Sequence, residues 1–210
     1  MTRICWVRHG ESQADLDGTF SHRRIDLSLT GAGIIQSRQA ASVLQQEKFN
    51  ALYSSPLKRA LETADFISKK TNLPIIPLES FRDVNIGELE TDSPPINGRS
   101  LFDGIIRSWL IEEGKQIRFP GGEDRYMLTG RVKDGLFHVV GRHPDGCVVI
   151  VGHVLPLTVT LKEIIRAGAD PRWIEMPMPY GSITVMNVVA EMGRLSADLV
   201  SWAKQEHLKA

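Results

Sequence analysis

Arginine and histidine stand side by side at the end of a short apolar run near the start of the chain, in the order Arg8, His9, Gly10. A guanidinium group grips phosphate through paired N–H donors, and a neutral imidazole is a competent nucleophile. Gly10 lets the backbone turn sharply and approach a ligand closely. Alone, this tripeptide is equally compatible with a structural histidine, so it indicates phosphate chemistry only if other groups converge on it.

Two further residues fit the same chemistry. Arg59 follows a Ser-Ser-Pro sequence and falls in the first turn of a predicted helix, where free N–H groups and the helix dipole favour an anion. His153 follows Gly152 at the end of a very apolar run. Two arginines and two histidines could therefore surround one phosphoryl group.

Short apolar runs alternate along the chain with longer helical patterns. The runs predict strands at residues 4–7, 51–54, 73–78, 147–151, 182–189 and 195–202. Helical periodicity and capping residues predict helices at residues 30–48, 55–70, 101–113, 123–140 and 156–167. This alternation indicates an α/β fold, a three-layer α/β/α sandwich around a mostly parallel central sheet.

In sheets of this kind the ligand crevice lies beyond the carboxyl ends of the strands. His9 and His153 both follow predicted strands, so we expect them at that edge. The pattern loosens between residues 81 and 119, where a proline-rich loop interrupts it. We predict one domain over residues 1–210 with a small cap-like insertion at about residues 84–122.

Composition limits the classes of function. Lys plus Arg equals Asp plus Glu, and a formal net charge of zero weighs against a nucleic-acid surface. No apolar stretch approaches the ~18 residues of a membrane span, and the first apolar run is too short for a signal peptide. We therefore expect a cytoplasmic protein with neither nucleic-acid nor membrane partners. Cys5 and Cys147 lie in apolar runs and are predicted to be small buried hydrophobes, without a disulfide.

These segments occur in the same order as in the histidine phosphatase superfamily, also called the phosphoglycerate mutase-like family, which the chain resembles over essentially its whole length. The resemblance rests on residues 8–12, 54–64 and 149–153, with further matches at residues 26–30, 120–123 and 181–183. Each motif is weak alone, but their conjunction at these spacings is specific. The form His-x-x-Pro that begins at His153 is similar to the phosphoserine phosphatase branch.

The resemblance implies a metal-independent phosphomonoesterase, without a cofactor, that hydrolyses a small phosphorylated metabolite through a phosphohistidine. His9 would attack phosphorus in line, while Arg8, Arg59 and His153 would surround the equatorial oxygens and stabilise their charge. Asp83 stands where the family more often has glutamate and would protonate the leaving group. Such an acid must keep its proton near neutral pH, which burial beside phosphate charge could achieve.

One departure from the family concerns Asp15, where many members have an asparagine that touches the phosphate. A carboxylate there would repel phosphate unless it is turned away or paired, for which Arg23 and Arg24 are candidates. Glu123 is a weaker candidate for a substrate contact. The remaining histidines lack metal-ligand spacing and are predicted to lie on the surface: His22, His138, His143 and His207.

Two alternative functions stay open at this point. One is a phosphoglycerate mutase that shuttles phosphate between hydroxyls. The other is a catalytically weak module that binds phosphorylated ligands, which Asp15 and Asp83 keep open. The substrate would be selected by residues 91–118, whose pattern does not name it. The oligomeric state is equally open, a homodimer included.

Overall fold

The computed structural model describes residues 1–91, 96–111, 117–166 and 176–209. Within them, one central sheet has the strand order β3-β2-β4-β1-β5-β6. The strands are β1 (Thr2–Arg8), β2 (Ala51–Ser54), β3 (Ile75–Pro77), β4 (Cys147–Gly152), β5 (Ile183–Glu191) and β6 (Arg194–Lys204). The first four run parallel, while β5 pairs antiparallel with β1 and with β6. The prediction of a mostly parallel sheet is confirmed.

Helices cover both faces of the sheet, as predicted. They are α1 (Gln13–Asp17), α2 (Gly31–Leu44), α3 (Lys58–Thr71), α4 (Gly98–Leu110), α5 (Arg125–Arg142) and α6 (Val154–Ile164). Side chains alternate along β1, so that Ile4 and Trp6 join the core under α5 and α6, while Cys5 and Val7 join the core under α2 and α3. Burial on both faces explains why this strand is uninterruptedly apolar.

Differences from the predicted elements lie mainly at helix ends. Thr30 caps α2 through its side chain, as predicted, but the helix ends at Leu44. The predicted ends of the helices at residues 101–113 and 156–167 lie outside the described residues. The strand predicted at residues 73–78 is β3, which lies at one edge of the sheet and is only three residues long. No helix in the described part of the chain is both long and apolar enough to cross a membrane.

Candidate active site

The carboxyl ends of the four parallel strands bring the predicted residues to one edge of the sheet. His9 directly follows β1, and His153 directly follows β4. Arg59 is the second residue of α3, which follows β2. Asp83 comes two residues after a 3-10 turn, Glu79–Phe81, that follows β3. One of the predicted site residues thus follows each of the four parallel strands.

These side chains line one cavity of about 280 Å³, together with Arg8. The structure therefore brings together all five residues singled out in the sequence. The other polar side chains that line the cavity are Ser12, Asp15, Thr19, Ser21, His22, Arg99 and Tyr180. The sequence did not indicate most of them as parts of the site.

The His9 imidazole has one nitrogen available to a ligand. Its Nδ1 lies 2.7 Å from the Gly10 carbonyl oxygen, and a carbonyl can only accept, so Nδ1 carries the proton. Nε2 then keeps its lone pair, to which Arg59 Nε–H donates over 3.2 Å. Burial, and then the charges of Arg59 and Arg8, lower the pKa of His9 to about 3. The ring is therefore neutral at physiological pH, as a nucleophile requires.

Gly10 makes a close approach, but to the protein rather than to a ligand. A Cβ on Gly10 would lie 2.3 Å from the Gly33 carbonyl oxygen of α2. A side chain at this position would collide with α2, so Gly10 allows the end of β1 to pack against that helix; its approach to a ligand stays a prediction.

Arg59 connects the other groups of the cavity. Its Nη2 lies 3.0 Å from Asp83 Oδ2 and 3.3 Å from His153 Nδ1, and its Nη1 donates to Ser21 Oγ over 3.3 Å. Because this buried guanidinium touches both histidines and the carboxylate, it holds them in a fixed arrangement. Its planar fork also presents several donors to any anion that enters.

Asp83 is ionised in the absence of a ligand. Burial raises the pKa of this carboxyl group, but the nearby His153 and His22 imidazoles and the Arg59 guanidinium outweigh burial and hold it well below its usual range. Oδ2 lies 3.5 Å from His153 Nδ1 and 3.3 Å from His22 Nδ1. A proton can reside on Asp83 only when a negative ligand offsets these groups.

His153 is held from both sides. Its Nε2 lies 2.8 Å from Ser55 Oγ, and its Nδ1 faces Arg59. Burial holds the pKa of His153 well below its usual value, so the ring is neutral. Ser55 is a residue that sequence reasoning missed, although it lies inside the segment 54–64 that carried the family resemblance.

Arg8 is oriented by a residue that no sequence pattern indicated. The Arg8 guanidinium carbon lies 3.6 Å from the centre of the Tyr180 ring, and Nη1 donates to the Met178 carbonyl oxygen. Arg8 Nε is buried without a hydrogen-bond partner. An unpaired buried donor is unfavourable, so this N–H is a ready contact for an anion.

Asp15 is paired, but not with Arg23 or Arg24 as expected. Its Oδ2 accepts hydrogen bonds from the Ser12 backbone N–H over 2.8 Å and from Ser12 Oγ over 2.5 Å, in a capping box that begins α1. The backbone N–H groups of Arg23 and Arg24 instead donate to Glu90 Oε1. The Asp15 carboxylate is therefore committed to its own helix start at the rim of the cavity.

His22 is not the surface residue that the sequence predicted. It lines the cavity beside Asp83, and its ring lies 5.9 Å from that of Phe102. The loop that carries it is held by Glu90, whose Oε1 accepts from four consecutive backbone N–H groups, residues 22–25, at 2.6–3.1 Å. Only the fold reveals this, because the loop has no periodic pattern.

The other side chains weighed in the sequence lie elsewhere. Glu123 binds Arg131, with 2.7 Å between Oε1 and Nε, and does not line the cavity. His138 is exposed as predicted, whereas His143 is half-buried and lies 2.9 Å from the Tyr53 hydroxyl. His207 is half-buried, with Nε2 3.0 Å from the Gly181 carbonyl oxygen.

The sequence is similar to known proteins over most of its length. The sequence matches the histidine phosphatase superfamily (branch 1) over residues 4–198. It is 36% identical over 201 residues to putative phosphoserine phosphatase 2 of Hydrogenobacter thermophilus, covering 93% of this chain and 94% of that protein. It is 31% identical over 173 residues to phosphoserine phosphatase 1 of the same bacterium, covering 82% and 81% of the two chains.

A solved structure shows the same fold. The phosphoserine phosphatase of Entamoeba histolytica, in complex with 3-phosphoglyceric acid, matches with a TM-score of 0.74 over 100% of both chains at 22% identity. The chain belongs to the histidine phosphatase superfamily, and within it this protein is a phosphatase. The family resemblance and the fold class predicted from the sequence are both confirmed.

Proposed function

We propose that this chain is a metal-independent phosphomonoesterase that hydrolyses a small phosphorylated metabolite through a phosphohistidine at His9. The observation that carries the proposal is the state of His9, a neutral ring whose Nε2 lone pair faces donors of Arg59. Arg8 and His153 line the same cavity. A phosphoryl group placed there would have a nucleophile on one side and donors around its equatorial oxygens.

In the first step, His9 Nε2 forms a bond to phosphorus while the bond from phosphorus to the leaving oxygen breaks. Asp83 transfers its proton to that oxygen, so an alcohol rather than an alkoxide departs. In the second step, water attacks the phosphohistidine, Asp83 takes a proton from the water, and neutral His9 is regenerated with inorganic phosphate. Atoms and charges balance over the cycle without a cofactor.

Asp83 becomes protonated when the substrate binds. A phosphate dianion beside Arg59 offsets the positive charge of the guanidinium that helps to keep this carboxyl group ionised, so the pKa of Asp83 rises when the substrate binds. His22 Nδ1 lies 3.3 Å from Asp83 Oδ2, so this imidazole also borders the carboxyl group. The low pKa of the ligand-free carboxyl group is therefore compatible with a general acid.

Comparing the amount of phosphate released with the amount of substrate isomerised tests this function directly. We expect the protein, incubated with 3-phosphoglycerate and a trace of the bisphosphate, to release far more inorganic phosphate than it isomerises. The reason is that the Asp15 carboxylate, which lines the cavity, repels a bisphosphate, which carries more negative charge than a single phosphate monoester. Phosphorus NMR follows all species in one sample. Rapid isomerisation with little free phosphate would favour the mutase, and neither reaction would favour the binding module.

The position of Arg99 indicates that the substrate carries a carboxylate group. It lies in α4, within the segment predicted as a cap, and its guanidinium carbon lies 4.8 Å from the centre of the Phe20 ring at the cavity wall. An exposed arginine stacked on an aromatic ring is pre-oriented for a planar anion. Relatives are named for phosphoserine, and phosphoserine carries a carboxylate beside its phosphate.

Replacing Arg99 should separate substrates by their carboxylate. We expect Arg99→Gln to raise KM for phosphoserine about tenfold with little change in kcat, because a charge-assisted hydrogen bond contributes ~1.5–3 kcal/mol to ground and transition state alike. Phosphoethanolamine, which lacks the carboxylate, should be unaffected. Arg107→Gln is the matched control, since Arg107 is exposed on the same helix and does not line the cavity. An equal rise in KM for both substrates would show that Arg99 binds the phosphate group rather than the carboxylate.

A further inference from the structure

We propose a second ligand site, at the opposite edge of the sheet, where Cys5, Glu47 and Cys147 bind a thiophilic divalent cation such as Zn²⁺. The two sulfur atoms and a Glu47 carboxylate oxygen all lie within 4.8 Å of one another. Among the described residues, no other group of three such side chains comes this close. Two cysteines and a carboxylate are ligands that zinc accepts.

The strand register brings the two thiols together. In the parallel pair β1–β4, Arg3 lies opposite Cys147 and Cys5 lies opposite Val149. Cys5 and Cys147 therefore point to the same face of the sheet, two residues apart in register. Glu47 follows the end of α2, the helix that packs on this face. The site lies at the amino end of β4 and near the middle of β1, whereas the phosphate cavity lies beyond the carboxyl ends of both strands.

This offset favours an ion over a disulfide. A disulfide needs Cα atoms that are usually within about 6.8 Å. An offset of two residues, about 6.6 Å, between parallel strands about 4.8 Å apart places the two Cα atoms roughly 8 Å apart. A tetrahedral ion with sulfur at about 2.3 Å spans a wider gap, because it holds two sulfurs roughly 3.8 Å apart. Both cysteines are free in the structure.

Charge and access also fit an ion. Two thiolates and the Glu47 carboxylate carry three negative charges, of which the ion neutralises two. Arg3 Nε, 3.7 Å from Glu47 Oε2, supplies the remaining positive charge from outside the ligand set. Cys147 and Glu47 are partly or fully exposed, so an ion and one water ligand can enter.

Cadmium titration of the reduced, metal-free protein tests the site directly. We expect one Cd²⁺ per chain, with a thiolate-to-cadmium charge-transfer band in the ultraviolet, and a higher Tm once the ion ties β1, β4 and α2 together. Cys147→Ser should abolish the band. Glu47→Gln should raise the dissociation constant by at least the ~10–100-fold that loss of an outer-shell partner produces.

Controls separate this site from the phosphate cavity. His9→Ala removes an imidazole from the cavity and should bind Cd²⁺ like the wild type, and so should Glu191→Gln, which changes an exposed carboxylate elsewhere. Binding that survives in Cys147→Ser but is lost in His9→Ala would overturn the proposal. So would the absence of a thiolate band, or the loss of both thiols to a Cys5–Cys147 disulfide under mild oxidation. None of these readouts depends on turnover, so the outcome is independent of the proposed phosphatase mechanism.

Discussion

His9→Ala should abolish both turnover and the phosphoenzyme. Acid-quenched wild-type protein, mixed with a labelled phosphomonoester, should hold phosphate that is lost in acid and survives alkali, as a phosphoramidate does. The variant should hold none, because it lacks His9 Nε2, whose lone pair is the proposed attacking group. Removal of a nucleophile that acts in a unit typically costs orders of magnitude in rate.

The matched control for this experiment is His138→Ala. His138 is exposed and lies outside the cavity, so its loss should leave label and turnover unchanged. Labelling should also be the same in EDTA, because arginine and histidine donors supply the charge stabilisation that the proposal requires. Full turnover in His9→Ala would remove the central claim. Loss of label on chelation, restored by a divalent ion, would instead place a metal in the reaction.

Much of this site could be predicted because it depends on where strands end. His9, Arg59 and His153 each follow a run of residues that reads as a buried strand and lies next to turn or cap signals. In a parallel sheet the carboxyl ends of such strands share one edge, so spacing along the chain converts into proximity. The order and the type of the elements were enough to predict that these three residues lie together, and the register between the strands was not needed.

The residues that were missed depend on tertiary contacts with no local pattern. His22 enters the cavity because Glu90, far along the chain, binds four backbone N–H groups of its loop. Tyr180 reaches Arg8 because β5 runs antiparallel beside β1. Cys5 and Cys147 meet through a register that periodicity cannot specify. Helix α1 is five residues long, too short for a periodic signal, and its start depends on the pairing of Ser12 with Asp15.

Asp83→Asn should slow the phosphorylation of His9 far more with substrates that have a poor leaving group than with substrates that have a good one. An alkyl phosphate such as phosphoserine must receive a proton as it departs, so we expect the ~10²–10⁴-fold loss typical of a missing general acid. A nitrophenolate leaves without a proton, so the nitrophenolate burst from p-nitrophenyl phosphate should change little. The burst must be measured rather than steady-state turnover, because Asp83 also serves the hydrolysis of the phosphohistidine. Glu88→Gln is the matched control, an exposed acid in the same segment that does not line the cavity.

The same variant tests how Asp83 obtains its proton. In the ligand-free protein His153, His22 and Arg59 overcome burial and hold the pKa of Asp83 well below its usual range, so the group is ionised at pH 7. Bound vanadate or phosphate adds negative charge and raises that pKa, so binding should take up protons and weaken as the pH rises. Calorimetry in two buffers of different ionisation enthalpy measures the uptake, which should be smaller in Asp83→Asn. Equal uptake in both proteins, together with equal rate losses on both substrates, would mean that Asp83 orients Arg59 and that the leaving group takes its proton from another donor.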